Sequence, residues 1–219
     1  MRPIWLVILA IAAAVHGQAP AQSDPAIQVD FSNPSLAPSQ WMLILHPDGS
    51  GHFRSPMGKP PAGADGKIGT PAVDRDIHVS GAYAAQVFAI AQRQKGFNIP
   101  CESHLKVAFQ GWKTFTLTGS SLQGSCTFNY SKINEIQKLS DSLEAVTLTI
   151  LEGARLELLF QHDRLGLDPE MEYLVGAADE GQAQQLGAIS EILDRLANDD
   201  QVLDRVRKRA RYLLARAAQ

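Results

Sequence analysis

Residues 105–130 read LKVAFQGWKTFTLTGSSLQGSCTFNY, and the period of this stretch decides the fold. Apolar residues alternate with polar ones at Leu105, Val107 and Phe109. They do so again at Phe115 and Leu117, and at Cys126, Phe128 and Tyr130. Successive side chains of a strand point to opposite faces, so each run marks a strand with one buried side. Gly111-Trp112 and Gly119-Ser120-Ser121-Leu122 are short enough to turn hairpins. The stretch therefore predicts a three-stranded antiparallel meander with one apolar face.

Working toward the N-terminus, Ser80 is suited to cap a helix by accepting a backbone N–H. Tyr83, Val87, Ile90 and Ala91 give that helix one apolar face, and Gly96 closes it after Lys95. Arg75 to Val79 reads as a strand. Ser55 to Thr70 is rich in Gly and Pro and reads as a long surface loop. Before it, Trp41 to His46 and His52 to Arg54 form a hairpin about Asp48-Gly49-Ser50-Gly51, because Gly after Asp tolerates positive φ.

Beyond the meander the period changes from two to three and four. Ile133, Ile136, Leu139, Leu143 and Val146 share a helical face. The β-branched residues of Val146 to Ile150 also suit a strand, but the charged, leucine-rich run Glu152 to Phe160 favours a helix continuing past Gly153. Gly166 breaks it. Asp168-Pro169-Glu170 reads as the next helix start, with a cap, a first-turn proline and an acid at the positive dipole end. Leu186, Ile189, Leu193 and Leu196 mark another amphipathic helix. Val202, Val206, Ala210, Leu213 and Ala217 mark a last one, beginning near Asp199 or Asp200. The expected class is α+β: a mainly antiparallel sheet with one packed helix over residues 27–130, then a helical C-terminal segment over residues 131–219. Residues 27–219 also read as one continuous domain.

At the N-terminus, Met1-Arg2 precedes an apolar run from Ile4 to Val15, with small or permissive residues at Val15-His16-Gly17. That is the layout of a signal peptide over residues 1–17, with an alternative cut after Ala21. Residues 18–26 read as a flexible lead-in. No later apolar run approaches the ~18 residues of a bilayer span, so no transmembrane segment is expected in the mature chain. The expected location is exported, either periplasmic or secreted. The formal charge of −3 and a charged fraction of 20% give no reason to expect nucleic acid as a partner.

The two cysteines, Cys101 and Cys126, are expected to pair in an oxidising compartment. Closing a loop of about 25 residues stabilises by ~3 kcal/mol in the chain-entropy account. His46, Asp48 and His52 lie around one tight hairpin and offer two imidazoles and a carboxylate, a donor set suited to zinc. The bland alternative gives Asp48 to the turn and leaves both histidines on the surface, with no cofactor. His78, His104 and His162 lie on different elements, without a signalled nucleophile. The last helix carries Arg205, Arg207, Lys208, Arg209 and Arg211, a candidate surface for an anionic partner. Against that, residues 161–200 are net negative, so adjacent helices are expected to neutralise each other. Trp112, Tyr130 and the loop Ser55–Thr70 are candidates for a recognition surface. The functional expectation is an exported, non-catalytic binding or interaction protein acting on a protein or envelope component. The alternatives are an envelope hydrolase, possible with metal at His46, Asp48 and His52, and a structural envelope component.

Overall fold

In a computed structural model, residues 24–58 and 69–218 are described. The expected signal peptide at residues 1–17 and most of the loop Ser55–Thr70 lie outside them. The fold is α+β. Six strands form one antiparallel sheet in the order β4-β3-β2-β1-β5-β6. They are β1 (Ala26–Ser32), β2 (Gln40–Leu45), β3 (Ser50–Ser55), β4 (Val73–His78), β5 (Trp112–Thr118) and β6 (Gly124–Phe128). The helices are α1 (Gly81–Arg93), α2 (Asn134–His162), α3 (Leu167–Asp179), α4 (Ser190–Asn198) and α5 (Asp204–Ala217). Among the described residues, no helix is long and apolar enough to cross a membrane.

Strand alternation sorts the sheet into two faces. Ile27, Val29 and Phe31 of β1, Leu43 of β2, Phe53 of β3 and Phe115 of β5 point inward and are buried. They pack with Val87 and Ala91 of α1 and with Ile136, Leu143 and Ile150 of α2 in one core. Ser80 caps α1 as expected, accepting the Tyr83 N–H at 3.2 Å. A second core joins the C-terminal part of α2 to α3, α4 and α5 through Leu156, Leu174, Leu193 and Leu213. The helix expected to pass Gly153 does so, and α2 contributes to both cores. Gly153 is where Ile189 packs: a Cβ there would lie 2.3 Å from the Ile189 Cγ2.

Two ion pairs fix α2 over the sheet. Arg75 of β4 grips Glu157 with two hydrogen bonds of 2.9 Å. Lys113 of β5, on the inward face and only 1% exposed, reaches Glu144 at 3.2 Å. The helical rise between Glu144 and Glu157 is roughly 20 Å, and four strand spacings from β5 to β4 come to roughly 19 Å. The helix therefore crosses the strands from β5 to β4 instead of running along them.

One expected strand is absent. Residues 105–109 have no strand pairing and stand exposed in the segment leading to β5. Their alternation is genuine, but the edge of β5 that a local meander would use is taken by β1, in register from Ala26 opposite Thr118 to Ser32 opposite Trp112. The strand expected to reach Tyr130 ends at Phe128. Asp168 does not cap α3: it lies inside the first turn, after Gly166 and Leu167, and its carboxylate faces α5. The last helix starts at Asp204 instead of near Asp199 or Asp200.

The disulfide Cys101–Cys126 is present and buried, with a Cα separation of 5.8 Å. It fastens the start of the 101–111 segment to β6.

Candidate functional site

Among the described residues, the helices pack on the inward face and on one another, and the register builds the outward face in rows. One row crosses all six strands as Asp74, Arg54, Met42, Asp30, Thr114 and Thr127. The next is Asp76, His52, Ile44, Gln28, Thr116 and Ser125. On the β5–β6 side, hydroxyls pair across strands, Thr114 with Thr127 at 2.8 Å and Thr116 with Ser125 at 2.9 Å. On the β3–β4 side, His52 stands between two carboxylates, Nε2 at 2.9 Å from Asp74 and Nδ1 at 2.9 Å from Asp76. The Asp76 hydrogen bond, reinforced by Asp74, holds the imidazole above its ordinary pKa, against a lesser opposing effect of burial.

Above the first row the strands end at Ser32, Gln40 and Trp112, and a cleft of about 610 Å³ opens there. Its apolar surface includes Met42, Pro56 and Trp112, a residue 47% exposed. Its polar groups include Asp30, Gln40, Arg54 and Asp74. Arg54 Nε lies 3.5 Å from Asp74, and Asp30 accepts a hydrogen bond from Gln28 at 2.8 Å. Phe109 packs edge-on to Trp112, with ring centroids 6.0 Å apart. An apolar floor with a few converging polar groups is the usual make-up of a ligand cleft. This arrangement offers an aromatic ring for stacking and both donors and acceptors for hydrogen bonding.

The zinc-type donor set is not assembled. His46 Nδ1 lies 3.2 Å from the Pro25 carbonyl. Asp48 accepts from the Ser50 N–H at 2.9 Å and its hydroxyl at 2.6 Å, and the hydroxyl bond is the main influence holding the carboxyl below its usual range. His52 pairs in register with Ile44 instead of His46 and turns to Asp74 and Asp76. The hairpin explains the separation. Gly49, at φ +89°, donates to the His46 carbonyl at 3.0 Å and directs the chain so that Ser50, not His52, returns beside His46. Nor do His52, Asp74 and Asp76 form a cage, since a metal cannot take both nitrogens of one imidazole. Among the described residues, no three His, Cys, Asp or Glu side chains are placed to hold one metal ion.

The other histidines are not brought together. His78 ends β4 at the opposite end of the sheet from the cleft, His104 lies in the segment before β5, and His162 ends α2. The last-helix cations are engaged locally. Arg205 and Arg209 meet Asp168 at 2.6 and 2.7 Å, and Arg209 also meets Glu172 at 2.9 Å. Arg207 and Lys208 meet Asp204 at 3.4 and 2.8 Å, and Arg211 donates to the Ala197 carbonyl at 2.9 Å.

Sequence reasoning singled out Trp112 and, at the start of the loop Ser55–Thr70, Ser55 and Pro56, but missed the polar groups Asp30, Gln40, Arg54 and Asp74 and the floor residue Met42. The missing signal was β1: Ile27, Val29 and Phe31 alternate with Gln28, Asp30 and Ser32. Reading that alternation places Asp30 on the outward face beside Met42. No protein-family model matches the chain, and no curated protein matches it.

Proposed function

We propose that the protein is an exported, non-catalytic binding protein whose ligand seats in the cleft at the Trp112 end of the open sheet face. The observation that carries this reading is the convergence there of an exposed tryptophan and Met42 with Asp30, Gln40, Arg54 and Asp74. Folding does not account for that set, because the inward face supplies the core and the outward groups add little apolar burial. Export is supported by the buried Cys101–Cys126 disulfide, since such bonds persist in oxidising compartments. The binding reading is further supported by His52, whose two ring nitrogens are both committed to carboxylates instead of to a nucleophile.

The test is capture from the native envelope fraction by the wild-type chain and by a Met42→Arg variant. The substitution places a long cation on the cleft floor and leaves the inward core untouched. A component retained by the wild type and lost by the variant is the expected result. Turnover of hydrolase substrates by the wild-type chain, with no component retained, overturns the reading.

A further inference from the structure

The connections at one end of the sheet carry a concentration of exposed apolar side chains. Strand directions place four connections there: residues 33–39 between β1 and β2, the described flanks 56–58 and 69–72 between β3 and β4, residues 101–111 leading into β5, and residues 129–133 leaving β6. On their described parts, and on Trp112 at the start of β5, stand Leu36, Met57, Leu105, Val107, Phe109 and Trp112, all exposed. Leu105 is 57% exposed and Phe109 49%. The opposite end of the sheet exposes only Leu122 among the described large apolar residues.

The 101–111 segment is held in place without burying these side chains. The disulfide fixes Cys101, and Ser103 donates to the Tyr130 carbonyl at 3.0 Å. Glu102 accepts the N–H groups of Asn129 at 2.6 Å and His104 at 3.0 Å. Asn129 accepts from the Gln110 N–H at 2.7 Å and donates to the Ala108 carbonyl at 3.3 Å. Gly111, at φ +118°, then turns the chain against Phe31, where a Cβ would lie 2.5 Å from the ring. Leu105, Val107 and Phe109 line neither the sheet cleft nor the cavity beside the start of α1. They form tips, not a groove.

Charge selects the occupant. In the described parts of these connections the only acid is Glu102, and both of its oxygens are taken by backbone N–H groups. Burial alone raises the Glu102 pKa, but those N–H bonds outweigh it and keep the group ionised, internally matched. Lys106, within the apolar tips, and Lys132, just past the Tyr130 anchor, are exposed. Asp30 and Asp74 lie on the sheet floor, Asp74 beside Arg54 and His52. Exposed Leu, Val, Phe and Trp flanked by lysines, with the one carboxylate of the described connections internally matched, are the chemistry of a side chain set that enters the boundary between headgroups and acyl chains.

We propose that this end of the sheet docks on an anionic phospholipid bilayer. Leu105, Val107, Phe109 and Trp112 enter the interface, and Lys106 and Lys132 face lipid phosphates. The proposal stands on the tips and holds whatever the cleft binds.

The experiment uses the full chain and vesicles of phosphatidylethanolamine and phosphatidylglycerol with brominated acyl chains. Tryptophan emission is compared with that of a Trp112→Phe variant, so the signal of Trp112 is isolated from anchoring by the apolar run at residues 4–15. The expected result is a blue shift and quenching of the Trp112 emission by the brominated chains. Both are lost in the triple variant Leu105→Ser, Val107→Ser, Phe109→Ser, with circular dichroism unchanged because these side chains are exposed. Reversing Lys106 and Lys132 to Glu weakens the quenching titration by roughly tenfold or more at low salt. Unquenched Trp112 in the wild type overturns the proposal. So does equal quenching in the folded triple variant, or burial of Trp112 in a dimer that forms without vesicles.

Discussion

The two cores of this chain use their polar groups in opposite ways. Around the helical core, charged side chains are spent on one another. Asp168 and Glu172 of α3 face Arg205 and Arg209 of α5, Asp179 faces Arg216, and Arg155 of α2 meets Glu170 of α3 at 2.7 Å. Around the sheet core, Lys113–Glu144 and Arg75–Glu157 close the inward face in this manner, and on the outward face the β3–β4 side does so with His52 and Arg54 against Asp74 and Asp76. The outward face keeps Asp30, Gln40, Met42 and Trp112 at an open cleft. The difference teaches where to look for function. A basic helix draws attention in the sequence, yet its charges are absorbed by the fold, while an ordinary-looking strand end holds groups that folding does not need.

The largest expected break in this comparison is at Glu144. Glu144→Ala leaves the Lys113 ammonium buried without its carboxylate and costs about 3 kcal/mol, read as a lower midpoint in denaturant. Adding Lys113→Met recovers most of that loss; no recovery means that the ion pair does not hold α2. Replacing Cys101 and Cys126 with serine comes next, at about 3 kcal/mol or slightly less. Its local signature is faster amide exchange over residues 101–111, with the α3–α5 amides unchanged.

The third effect is a pH dependence set in the helical core. Burial pushes the Glu152 carboxyl up to about 9, with Glu170 adding to the rise and Arg155 opposing it. The folded state therefore holds this proton more tightly than the unfolded state. Its stabilising contribution is complete below the ordinary value of 4.5 and is lost as the pH climbs toward about 9. Glu152→Gln flattens that slope and raises the melting temperature on its alkaline side; an unchanged slope contradicts the assignment. The smallest effect is at the surface. Asp168→Asn weakens the α3–α5 pairs and costs less than about 1 kcal/mol, an effect that fades in high salt.

Much of the architecture was legible in the sequence where local chemistry decides local structure. Ser80 and Gly96 bracket the helix between them, Asp48-Gly49 turns a hairpin, and a three-to-four period carries α2 through Gly153. The failures share one physical cause, competition from residues distant in the chain. Residues 105–109 alternate like a strand, but β1 occupies the β5 edge they would need. Lys113 looks like a solvated residue beside Trp112, yet it keeps phase with Phe115 and Leu117 and so points inward to Glu144. Proximity in the chain groups His52 with His46, whereas its partners Asp74 and Asp76 lie more than twenty residues away on β4. Of the cleft, the sequence marked Trp112 and the Ser55–Pro56 start of the following loop. The remainder depends on register, which hydrophobic alternation constrains only after every strand has been found.

The most direct test of the claim that function resides at the open end of the sheet is hydroxyl-radical footprinting of the full chain with and without the native envelope fraction. Protection of Met42 and Trp112 is predicted, with Tyr173 and Tyr212 on the helical half labelled as before. Protection of Tyr173 and Tyr212, with Met42 and Trp112 unchanged, contradicts it.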